Sequence, residues 1–155
     1  MNKIDKIKPK HIAWFLPAVY LLHLLDEYFI GAGFAGWFSM LFKASLSENN
    51  FIVINAAGFI TVLVIAILYT LGKANNFVLA VVGSLFFING IIHPLAGLLT
   101  ATFSPGTITG VIIYLPFGLL VFIKIFPLLN EEQRMFSVIL AIVLHILVSV
   151  VALSI

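Results

Sequence analysis

Residues 12–30 read IAWFLPAVYLLHLLDEYFI. As a helix this run is long enough to cross the ~30 Å of hydrocarbon in a bilayer. It nevertheless carries His23, Asp26 and Glu27 within about one turn. A charge near the bilayer centre costs upward of about 2.5 kcal/mol. A chain that keeps three ionisable groups there must give them partners, a metal or water.

The rest of the chain agrees with a membrane setting. Of 155 residues, 63% are hydrophobic and 9% charged, with a mean hydropathy of +1.22. A soluble domain is about half apolar and a quarter charged. Apolar runs fall at about 12–30, 51–71, 77–99, 108–128 and 135–155. They are continuous rather than alternating, which argues for helices over barrel strands. The expected fold is an all-α membrane protein, a bundle of five transmembrane helices forming one integral membrane domain over 1–155. The long connection 31–50 opens on Gly31, Gly33 and Gly36 and continues WFSMLFK. Trp37, Met40 and Leu41 share one helical face, so a short interfacial helix at about 36–46 is predicted to roof the outer end of the bundle, as an aromatic anchor rather than a lid.

Lys3, Lys6, Lys8, Lys10, Lys73, Lys124 and Arg134 fall on one side of such a bundle, and Lys43 alone on the other. That asymmetry predicts a cytoplasmic N-terminus and a C-terminus on the outer face, in a plasma (inner) membrane. The lysines before the first run also suit a signal peptide. The acidic pair lying between that run and the small residues 31–33 argues against cleavage. The net charge of +2 is scattered near span ends and implies no nucleic-acid partner. Without cysteine there is no disulfide and no thiolate site, so a metal would have to use His, carboxylate or amide oxygen. Nothing sets an oligomeric state.

Positions 23, 26 and 27 cover about 100° of helical arc, and Tyr20 lies one turn below His23 as a hydrogen-bond donor. Asn89 and His93 share a face of the third run, His145 is the one polar residue between Ser137 and Ser149, and Asn55 lies near the outer end of the second. At 1.5 Å per residue these side chains all fall from the middle to the outer half of the bundle, with His23 ~17 Å and His93 ~24 Å from the cytoplasmic side. One polar pocket open toward the outer leaflet follows. Imidazole and carboxylate suit zinc or iron. His23 and Glu27 have the i, i+4 spacing that lets one helix grip a metal, with His93 and His145 completing the set. Glu27 and Asp26 are the candidate acid–base groups, with Asp26 also placed to orient a ligand. Tyr20, Asn55, Asn89 and Thr107 are the candidate substrate-binding groups. The same residues without metal make a network suited to proton transfer, or a satisfied polar core that fixes helix pairing. His11, beside Lys10, reads as an interface residue. Pro17, Pro94 and Pro116 fall inside spans; Pro94 with Gly90 predicts a kink that either exposes carbonyl oxygens near His93 or serves packing alone. Ser104-Pro105-Gly106-Thr107 reads as a tight turn above His93, with Thr107 and Thr109 offering hydroxyls to the pocket.

These motifs resemble the HXXEE-domain family of small integral membrane proteins. The first element is His23-Leu24-Leu25-Asp26-Glu27, the second Asn89-Gly90-Ile91-Ile92-His93, and the third Ser104-Pro105-Gly106-Thr107 preceded by Phe103. The resemblance covers roughly 12–130. It departs at Asp26, where the family name calls for Glu; the shorter side chain speaks against direct metal binding by residue 26. The resemblance implies no particular reaction.

The leading expectation is a membrane-embedded, metal-dependent enzyme using zinc or iron on a membrane lipid or other small apolar substrate. One rival is a proton-coupled carrier or apolar-ligand-binding protein without metal, although no inverted repeat is visible. Another is a structural or partner-binding subunit making contacts through Trp37 and Phe38.

Overall fold

A computed structural model describes residues 6–43 and 46–154; all of its regular structure is helical. The helices are α1 (Pro9–Phe29), α2 (Gly33–Phe42), α3 (Glu48–Thr70), α4 (Asn76–Thr100), α5 (Thr107–Leu128) and α6 (Glu131–Ser154). All but α2 are long and apolar enough to cross a membrane. Several begin a turn before the apolar runs do, because polar caps precede the hydrocarbon-compatible stretch. Ser47 Oγ accepts from Asn50 N at the start of α3. Asn75 Oδ1 accepts from Phe77 N and Val78 N at the start of α4. Asn130 and Gln133 cap one another at the start of α6.

α4 is the central helix. Leu79, Ala80, Val81, Val82, Gly83, Ser84, Phe86, Gly90 and His93 are all buried along it. It packs on α5 and α6, while α1 packs on α3. Glycines set the approach of α4 to α5. A Cβ on Gly83 would stand 2.6 Å from Val121 Cγ1, one on Gly90 2.9 Å from the Gly110 carbonyl oxygen, and one on Gly118 2.5 Å from Phe87 Cβ. Small residues let neighbouring membrane helices approach closely, and this approach brings the first turns of α5 beside α1. Gly90 therefore serves packing, with its carbonyl oxygen toward Gly110. α4 continues as a helix through Pro94. α5 contains one π-helical turn, Gly110–Tyr114, in which Leu115 N–H reaches the Gly110 carbonyl.

The short α2 exists as expected, but its buried face differs. Ala35, Trp37 and Phe38 point inward, and Met40 is 65% exposed. Trp37 Nε1 donates to Thr102 Oγ1 at 2.8 Å, which ties α2 to the segment after α4. Trp37 and Phe38 are thus spent within the fold. Residues 44 and 45, inside the expected 36–46 helix, lie outside the described residues.

Candidate functional site

His23, Asp26 and Glu27 are all buried on the inner face of α1. Thr109, in the first turn of α5, meets two of them. Its backbone N–H and its hydroxyl both donate to Asp26 Oδ2, at 2.7 and 2.8 Å. A carboxylate only accepts, so the hydroxyl proton is committed there. The same Thr109 oxygen lies 2.8 Å from His23 Nδ1. It must accept from His23, which puts the imidazole proton on Nδ1 and leaves Nε2 as a bare lone pair.

His93 is oriented in the same way from the other side. Ser104 Oγ donates to the Pro105 carbonyl at 3.3 Å and lies 3.1 Å from His93 Nδ1. With that proton on the carbonyl, Ser104 Oγ can accept from His93 Nδ1, the tautomer that leaves Nε2 free to bind a cation. Both Nε2 atoms face one oxygen, Glu27 Oε1, at 3.5 Å from His23 and 3.1 Å from His93. His23 Nε2 is buried without a hydrogen-bond partner. The ligand atoms of His23, Glu27 and His93 all lie within 4.8 Å of one another. With both Nε2 atoms unprotonated, two nitrogen lone pairs and a carboxylate do not attract each other; a cation or a proton at their centre makes them compatible.

The surroundings hold this cluster rigid. Tyr114 stacks on the His23 ring at 3.9 Å and on Phe86 at 4.4 Å. Phe34 of α2 meets the His93 ring edge-on at 5.6 Å. Gly106, at φ +88°, closes the remaining side. A Cβ there would stand 2.8 Å from His93 Cε1 and 3.0 Å from Glu27 Cγ. The Pro105-Gly106 turn is thus part of the site wall as well as a connection.

His23, Glu27 and His93 open onto a cavity of about 800 Å³ bounded by α1, α3, α4 and α6, with α2 across one end. Tyr20 donates to Asn55 Oδ1 at 2.9 Å, and both line this cavity. Gly58 makes room for the Tyr20 hydroxyl. Asn89 also lines it, with Oδ1 buried and unpartnered. His145 lines the α6 side, outside the cluster of three. Asp26 and Thr107 are not among the lining residues; Thr107 Oγ1 is buried without a partner. With Oδ2 engaged by Thr109, Asp26 is built to orient His23 at one remove. His11 accepts from the Lys8 backbone N–H at the opposite end of α1. Sequence reasoning gave Thr109 only a loose part and missed Tyr114. Their signal is position: both follow the Pro-Gly turn that leads from α4 into α5, whose first turn meets α1.

A family described as "Protein of unknown function with HXXEE motif" matches residues 14–121. That span holds His23, Asp26, Glu27, His93, Gly106, Thr109 and Tyr114, and stops short of His145. No curated protein and no solved structure matches the chain.

Proposed function

Because the chain belongs to the HXXEE-motif family, we propose that its motif residues hold a divalent metal, zinc or iron, in a membrane-embedded enzyme acting on a lipid or similar apolar substrate. The observation that carries this reading is the convergence of two imidazole Nε2 atoms on one carboxylate oxygen, each imidazole hydrogen-bonded through Nδ1 to a hydroxyl. Metal-ligating histidines characteristically donate their second nitrogen in this way. Two His and one Glu leave coordination positions open, the arrangement of catalytic zinc sites and of the facial triad that binds iron. Such a metal supplies Lewis acidity or an activated water. The chain's own residues would do the rest. Asn89 and the Tyr20–Asn55 pair would engage a polar substrate group. His145, on the α6 wall of the cavity, would move a proton. The expected topology, with a cytoplasmic N-terminus, puts the site in the outer half of a plasma (inner) membrane.

The test is metal analysis of protein purified in detergent. About one equivalent of zinc or iron, lost in folded His23→Ala and His93→Ala variants, is the expected result. A second reading rests on the 3.1 Å contact between His93 Nε2 and Glu27 Oε1. A proton in place of the metal makes that an imidazolium–carboxylate pair, suited to a proton-coupled carrier. Metal-free protein would favour it.

A further inference from the structure

The cavity is strongly asymmetric along its length. Its ionisable side chains, Tyr20, His23, Glu27, His93, Tyr114 and His145, belong to the site just described or to the turns nearest it. The cavity continues along α4 from His93 to Phe77, 16 residues and therefore ~24 Å of helix. That far stretch is lined by side chains such as Ile65, Phe77, Val78 and Val81. Among the described residues, no ionisable side chain lines it. A half-bilayer of hydrocarbon is only ~15 Å deep, so the groove is long enough for an extended chain.

The way in is lateral. α3 is backed by α1, and α6 by α4, while α3 and α6 flank the cavity without extended packing on each other. Leu140, Val148 and Leu153 of α6 line the cavity and are also exposed at the surface of the bundle. A gap between two membrane-spanning helices opens on lipid, not on water. α2, with Trp37 and Phe38 turned inward, covers the end of the cavity.

We propose that the substrate is a long-chain membrane amphiphile that enters sideways between α3 and α6, lays its chain along α4 toward Phe77 and presents its polar head to His23, Glu27 and His93. The inference deepens the enzyme reading above and rests on it for the chemistry at the head. The chain groove stands on its own geometry.

A hexadecyl alcohol with a diazirine at the chain end tests it, irradiated with the full-length protein in lipid nanodiscs and mapped by mass spectrometry. Labelling is expected at the start of α4 and the facing part of α3, around Phe77, Val78 and Ile65. Val78→Trp and, on the opposite wall, Ile65→Trp fill that end and should cut hexadecyl labelling about tenfold. Both should leave labelling near the head site by an octyl analogue unchanged. Gel filtration identifies which variants are folded, and either one suffices. His23→Ala should keep the chain labelling while losing metal. Hexadecyl labelling spread over outward residues such as Val64 and Ile139, and indifferent to both tryptophans, would overturn the groove. Metal-free protein with the groove labelling intact would sink the metal reading alone. Metal-loaded protein without groove labelling would sink this inference alone.

Discussion

Thr109 joins Asp26 to His23, with one hydroxyl oxygen 2.8 Å from Asp26 Oδ2 and 2.8 Å from His23 Nδ1. Carboxylate, hydroxyl and imidazole form a directional chain that starts on α1, crosses to α5 and returns to α1. Its direction fixes which nitrogen of His23 is free. The motif's first acidic residue thus acts on the motif's histidine through a residue 83 positions away.

Thr109→Val keeps the shape and removes the relay. Metal affinity is expected to fall about 10–100-fold, the usual effect of losing such an orienting partner. Thr109→Ser should retain most of it. Competitive metal titration against a chromophoric chelator measures both, and equal affinity in the Thr109→Val variant and the wild-type protein would refute the relay.

Glu27→Gln keeps the side-chain volume but replaces an anionic ligand with a neutral amide. Metal content should drop to background while the helical circular dichroism stays unchanged. Combined with His93→Ala, the loss should be no greater than in either single variant, because the three ligands act as one unit. An additive decline would mean that Glu27 and His93 serve separate sites.

Gly106→Ala should cost more than backbone strain alone. The left-handed conformation costs a non-glycine residue about 1–2 kcal/mol, and the added Cβ would also press on His93 and Glu27. Gly72 is the control, at φ +70° with nothing within 4 Å of an added Cβ. Both alanine variants should lower the melting temperature, but only Gly106→Ala should lose metal. Retention of full metal content by Gly106→Ala would show that the turn is merely a connection.

Gly90→Val tests the α4–α5 approach. The methyls have no room against Gly110 and Tyr114, and overpacking of this kind costs about 1–3 kcal/mol. Thermal unfolding should come earlier, and metal binding should weaken because Thr109 and Tyr114 move away from His23 together.

Much of this was legible in the chain itself. Length and hydropathy marked five spanning helices, and i, i+4 spacing paired His23 with Glu27 and Asn89 with His93. Depth along each helix then grouped the polar residues. Depth is only one coordinate, however. It could not tell that His93 turns toward Glu27 while His145 lines the cavity outside the cluster, because that depends on how each helix is rotated and where it packs. The role of Thr109 was hidden for a related reason: it exists only because Gly90 and Gly110 let α5 come close to α4. Met40 illustrates the limit of face arguments on a ten-residue helix, where a small rotation exchanges it for Phe38.

The single π-helical turn at Gly110–Tyr114 has a consequence for how this protein tolerates change in length. Thr109 and Tyr114 are five positions apart and both touch the His23 ring. In an ordinary α-helix, residues so spaced diverge by about 140°; winding that bonds each residue to the fifth beyond it brings them back to one side. Removing one residue between them would restore regular winding and leave them four positions apart, within about 40° of one another and still on one side. Point substitutions at Val111, Ile112 or Ile113 and a one-residue deletion among them should therefore be mild at His23, and a one-residue insertion severe.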